Sequence, residues 1–131
     1  MLGTIIQPPQ SKTVDEGDDV TLSCKSDAAN PANWHHRRSP SDESERICYK
    51  GKTVVTYVNK FYCNSTADVN DLFIRNAHAE QAGEYTCIEN AGLGAKASAS
   101  LTVRSTGIYN STLFLFITVL DIEGVTFTVN I

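Results

Sequence analysis

Apolar and polar residues alternate with a period of two in short runs along positions 20–103. The clearest run is Val20-Thr21-Leu22-Ser23-Cys24, with Val20, Leu22 and Cys24 on one side. That spacing predicts a strand buried on one face. Leu72 and Ile74 in Leu72-Phe73-Ile74-Arg75 repeat it, as do Leu101 and Val103 in the segment 97–103. Further strands are expected at 32–38 with Trp34 inward, at 47–49 and 53–57 around Lys50-Gly51-Lys52, at 60–63 and at 84–90. Ile5-Ile6-Gln7 reads as an edge strand broken by Pro8 and Pro9 and resumed at 11–14, because prolines belong on sheet edges. Turn-rich stretches separate these runs: Asp15-Glu16-Gly17-Asp18-Asp19, the segments 27–31 and 39–45, and Ala91-Gly92-Leu93-Gly94. Many short strands joined this way predict an all-β domain.

The chain has 131 residues, enough for one domain with some excess. Its net charge of −4 argues against nucleic acid as a partner. Four cysteines are an even set with three possible pairings. No Cys-x-x-Cys pair is present, so a zinc site is disfavoured and disulfides are expected. Disulfides imply an oxidising compartment, hence secretion or a cell surface. Two glycosylation sequons agree, Asn64-Ser65-Thr66 and Asn110-Ser111-Thr112. Asn64 is the better candidate, because it follows Cys63 in an expected surface segment. The opening Met1-Leu2-Gly3-Thr4-Ile5-Ile6 has neither a basic start nor a long apolar run and is not read as a signal peptide.

Cys24, Trp34 and the run Ala82-Gly83-Glu84-Tyr85-Thr86-Cys87 carry a resemblance to the immunoglobulin superfamily. The resemblance covers residues from about 5 to 104, so the domain is set at 1–104. It implies an immunoglobulin-like two-sheet β-sandwich with Greek-key topology, of intermediate or variable type. The ending Asn90-Ala91-Gly92 to Leu101-Thr102-Val103 is more similar to domains of adhesion proteins, receptors and invertebrate immune-type proteins. The resemblance pairs Cys24 with Cys87, leaving Cys48 with Cys63, a second bond that would pin one edge of the sandwich. It also implies core roles for Trp34, Leu72, Gly83 and Tyr85, the Tyr85 hydroxyl bonding back to the chain. Two departures matter. Gln81 stands where the family often has an aspartate, so it forms no ion pair with Lys60. Gly94 also lies too far from Leu101 for the joining motif of antigen receptors, which excludes an antibody or T-cell-receptor variable domain.

Residues 105–131 form an apolar tail, read either as the truncated start of a second similar domain or as a loose β-hairpin. Val125, Phe127 and Val129 match the inward positions of the strand at 20–24. The apolar run Leu113–Leu120 is shorter than the roughly 20 residues a membrane span needs. Contact with a membrane is expected only through other parts of a parent chain.

No catalytic constellation, cofactor motif or metal set stands out. His35 and His36 are adjacent on a strand and point to opposite faces, so they do not chelate one ion. The acidic run 15–19 reads as a plain turn rather than a calcium loop. The partner surface of related domains is the face of the strands called C, C′, F and G. Alternation places His35, Arg37, Thr86 and Ile88 there, with Tyr49 at the side and Leu93 at the turn tip. The expected function is extracellular, non-catalytic recognition in cell adhesion or innate immunity. The partner is a protein, bound homophilically or heterophilically, or an acidic glycan held by His35, Arg37, Arg46, Lys50 and Lys52. The competing reading is a structural spacer of a multidomain receptor with no ligand of its own.

Overall fold

The computed structural model describes residues 4–105. The tail reading and the Asn110 sequon lie outside the described residues.

Among the described residues ten strands form two sheets. They are β1 (Ile5–Gln7), β2 (Lys12–Asp15), β3 (Val20–Ser26), β4 (Asn33–Arg37), β5 (Glu45–Tyr49), β6 (Lys52–Thr53), β7 (Phe61–Thr66), β8 (Val69–Ile74), β9 (Gly83–Ile88) and β10 (Lys96–Arg104). The smaller sheet runs β1-β3-β8-β7 and the larger β2-β10-β9-β4-β5-β6. Pro8 and Pro9 divide the first edge segment. Its first half pairs antiparallel with β3, and its second half crosses to pair parallel with β10. A segment that cannot donate through its prolines cannot continue one ladder, and here it changes sheets.

The inward side chains of both sheets meet in one core containing Val20, Leu22, Trp34, Ile47, Leu72, Ile74, Tyr85 and Leu101. Two disulfides cross it. Cys24 of β3 bonds Cys87 of β9, and Cys48 of β5 bonds Cys63 of β7, with Cα–Cα distances of 6.5 and 6.1 Å. Each bond therefore joins one sheet to the other.

The turn before β9 fixes a corner of the sandwich. The Tyr85 hydroxyl donates to the Gln81 carbonyl at 2.5 Å. His36 lies flat on the Tyr85 ring at 4.3 Å, and its Nε2 sits 2.8 Å from the Ala82 carbonyl. Gly83 closes the corner at φ 125°, where an added Cβ would stand 2.3 Å from the Arg37 carbonyl. Only glycine fits there. Gln81 accepts from the His78 backbone N–H at 2.9 Å, while Lys60 donates to the Asn76 carbonyl.

The acidic turn between β2 and β3 is held by its own carboxylates. Asp18 accepts from the Asp15 N–H, Asp19 accepts from the Asn76 N–H, and Asp15 pairs with Arg104 at 2.8 Å. Among the described residues no group of three His, Cys, Asp or Glu is placed to hold a metal ion.

Three local expectations need correction. The strand expected at 53–57 is only the two-residue β6, followed by a 3-10 turn at Val55–Tyr57. The strand expected to reach residue 90 ends at Ile88, because Asn90 and Ala91 turn into left-handed geometry at φ 55° and 56°. The strand expected at 32–38 is Asn33–Arg37, and Arg38 lies exposed past its end.

Candidate functional site

The outer face of the larger sheet is built from three cross-strand rows. Residues directly opposite on paired strands share a face, and so do residues two apart along one strand. The central row is Ser98, Thr86, His35 and Arg46 across β10, β9, β4 and β5. On one side lies Ser100, Glu84 and Arg37; on the other lies Lys96, Ile88 and Asn33. His35, Arg37, Thr86, Ile88, Glu84 and Lys96 line a groove of ≈ 420 Å³.

The groove is mixed, with charges of both signs along its polar walls. Arg37 is paired with Glu84 at 3.0 Å, both side chains over 40% exposed. A pair that open to water contributes about 0–1 kcal/mol and sets charge pattern more than stability. Thr86 and Ser98 hydroxyls hydrogen-bond at 2.8 Å. Ile88 sits on this face by register but is only 9% exposed, so it offers a partner little surface. Burial lowers the His35 pKa, and Arg46 and Lys96 lower it further, so the ring is neutral at neutral pH.

A β-bulge sets the neighbouring patch. Trp34 pairs with Cys48, but His35 pairs with Arg46, leaving Ile47 as the extra residue of β5. Ile47 and Cys48 are both buried. The frame of β5 therefore shifts, and Arg46 and Tyr49 emerge together. The Arg46 guanidinium lies 4.5 Å from the Tyr49 ring centroid and the Lys50 ammonium 5.5 Å from it. These are cation–π distances. Arg46, Tyr49, Lys50, Lys52, Thr53 and Val54 border a second hollow of ≈ 420 Å³. Lys50 adopts φ 52°, and its backbone N–H is fixed by the Asn33 side chain at 2.9 Å.

Leu93 caps the upper end of the face, 76% exposed on the β9–β10 turn. That turn stands on Glu89, which is fully buried. The Ser26 hydroxyl donates to one Glu89 carboxylate oxygen at 2.7 Å and the Ala95 N–H to the other at 3.3 Å. Gly94 passes so close that an added Cβ would lie 2.6 Å from the Glu89 Cγ.

His35, Arg37 and Thr86 thus share one face, linked through Arg46 to Tyr49 and joined by Glu84, Lys96 and Ser98, which the sequence reading passed over, while Leu93 stands on the turn between β9 and β10. Glu84 was within reach of simple alternation, standing two residues before Thr86. Lys96 needed the register of β10. Asn64 lies elsewhere, on β7 of the smaller sheet.

Known proteins give the family. A family model described as an immunoglobulin domain matches residues 4–90. A fibroblast growth factor receptor of Halocynthia roretzi is 32% identical over 95 residues, covering 66% of this chain and 11% of the receptor. The chain thus spans about a ninth of that relative's length. The crystal structure of the RIG-5 IG1 homodimer superposes with a TM-score of 0.65 at 21% identity. The match covers 79% of this chain and 99% of that one, and shows a shared fold. The sheet order, the core disulfide, the tyrosine corner and the family match together make this chain a member of the immunoglobulin domain family.

Proposed function

We propose that the chain is an extracellular, non-catalytic recognition module that binds a protein partner through the outer face of β10, β9, β4 and β5. The supporting observation is the juxtaposition on one side of the Arg46–Tyr49 stack, the Arg37–Glu84 pair and Lys96, with the exposed Leu93 on the turn between two of its strands. Tyrosine and arginine are the side chains that most often anchor interfaces. Charges of both signs on one face suit an isologous contact, in which a patch meets its own copy. The RIG-5 domain, similar in fold, is a homodimer in its crystal structure. Two disulfides and a receptor relative support an extracellular setting, in adhesion or innate immune recognition.

Sedimentation of the oxidised full chain over a range of concentrations tests the homophilic form. Self-association that is lost with Arg46→Ala and Tyr49→Ala supports it. A monomer at all concentrations moves the reading to a different protein partner.

A second reading rests on the hollow around Tyr49, whose rim carries Arg46, Lys50 and Lys52. Two cations over the ring and a third on the rim suit an acidic glycan. Binding that collapses between low and high salt would favour this reading, because exposed charge attraction is screened.

A further inference from the structure

The outer face of the smaller sheet carries an aromatic pair, the exposed Tyr62 and the half-buried Phe73, beside an acceptor sequon. On strand β7, Phe61 and Cys63 are buried, whereas Tyr62 and Thr66 are exposed and Asn64, between them on the same face, is half-buried. Tyr62 is 49% exposed, and its ring lies 5.8 Å from that of Phe73, its cross-strand neighbour on β8. The next outward row is Asn64, Asp71 and Ser23, in which the Ser23 hydroxyl donates to the Asp71 carboxylate. Strand β7 is the edge strand of its sheet. Asn64 and Tyr62 stand two residues apart on one strand, about 6.6 Å. Their side chains rise side by side from the same face.

We propose that Asn64 is N-glycosylated and that its first N-acetylglucosamine packs its apolar C–H face on the Tyr62–Phe73 pair. Three features meet here: a half-buried acceptor asparagine on the outer face of an edge strand, a threonine at the required spacing, and an apolar platform directly beside the attachment point. The donor is an oligosaccharide carried on a lipid pyrophosphate. The Asn64 Nδ2 forms a bond to the sugar's anomeric carbon as the bond from that carbon to the pyrophosphate oxygen breaks. The lipid pyrophosphate leaves with the electron pair, and the amide gives up one proton. The sugar then covers the aromatic pair and closes the outer face of the smaller sheet, leaving the larger sheet as the open face. This inference requires the secretory setting proposed above but not the partner face, so loss of one leaves the other standing.

The test is secretion of the full chain from animal cells, with peptide mass analysis and thermal unfolding. Thr66→Ala abolishes the sequon while keeping Asn64. Asn64 is expected to carry the sugar, and the glycosylated chain to unfold about 3 °C above Thr66→Ala, on the scale of a domain this size. That gap is expected to close when Tyr62→Ala is placed in both chains. An unmodified Asn64 in the folded, secreted protein overturns the proposal, as does a gap unchanged by Tyr62→Ala. If Tyr62→Ala fails to fold, nuclear Overhauser contacts between the sugar and the Tyr62 ring decide: their presence supports the packing and their absence overturns it.

Discussion

Arg46 and Tyr49 are three residues apart on one strand yet stack at 4.5 Å on the same face. A regular strand would send them to opposite sides. The bulge at Ile47 reverses that, and it does so by burying Ile47 and Cys48 together. Packing in the core thereby decides what the surface presents.

Tyr49→Ala and Arg46→Ala are each expected to weaken partner binding by about 2 kcal/mol, the scale of an interface anchor. Folding stability should move by no more than about 0.5 kcal/mol, because both side chains are exposed. Surface plasmon resonance and urea unfolding of the same samples separate the two quantities.

The Cys48–Cys63 bond closes a loop of 15 residues. Replacing both cysteines with alanine is expected to cost about 3 kcal/mol in the chain-entropy account. The effect should appear as a lower urea midpoint with the fold retained, since the Cys24–Cys87 bond still joins the sheets. An unchanged midpoint would mean that packing around Phe61 and Ile47 holds that edge alone.

Gly83→Ala places a methyl group 2.3 Å from the Arg37 carbonyl at a backbone φ of 125°. Overpacking and backbone strain act together there, and a loss of about 3 kcal/mol or more is expected. Chemical unfolding of the secreted variant measures it. A neutral result would show that the corner relaxes without loss.

Burial lowers the His36 pKa, outweighing the Ala82 carbonyl and Glu45, which raise it, while Arg38 lowers it a little further. The unfolded imidazole takes up its proton near its ordinary value of about 6.5. The folded one does so only at lower pH, so the unfolded chain holds more protons in between. The His36 contribution is full above about pH 6.5 and is lost as pH falls through the folded pKa. His35, also lowered, acts in the same direction. Urea midpoints should therefore drop from neutral to mildly acid pH. His36→Phe should flatten that drop while costing about 1 kcal/mol at neutral pH for the lost bond to Ala82. An equally steep profile in the variant would remove His36 as the cause.

Most of the strands could be read from the chain because one face of each is buried, which imposes strict alternation on Val20, Leu22 and Cys24 or Leu72 and Ile74. The corner was legible as well, since Gly83 and Tyr85 do jobs that few residue types can do. What escaped depended on contacts distant in sequence. The bulge at Ile47 exists only because Trp34 and Cys48 pair across the sheet. Glu89 reads as a solvated charge in any linear scan, yet Ser26, 63 positions earlier, draws it into the interior. The left-handed pair Asn90 and Ala91 was hidden by a mild alanine, a residue that does not announce a positive φ.

The central claim is that the face of β10, β9, β4 and β5 carries recognition. It is tested most directly by binding an oligomerised, oxidised full chain to itself, to acidic and neutral glycans and to animal and microbial cells. Three proteins are compared: the unaltered chain, a variant with His35, Arg37 and Tyr49 all changed to alanine, and a control with Lys25→Ala on the smaller sheet. Binding by the unaltered chain and the control, lost in the triple variant with its unfolding midpoint preserved, is the predicted result. Binding that survives in the triple variant would contradict the claim by placing recognition on another face, and silence from all three folded proteins would contradict it by leaving the domain as a spacer.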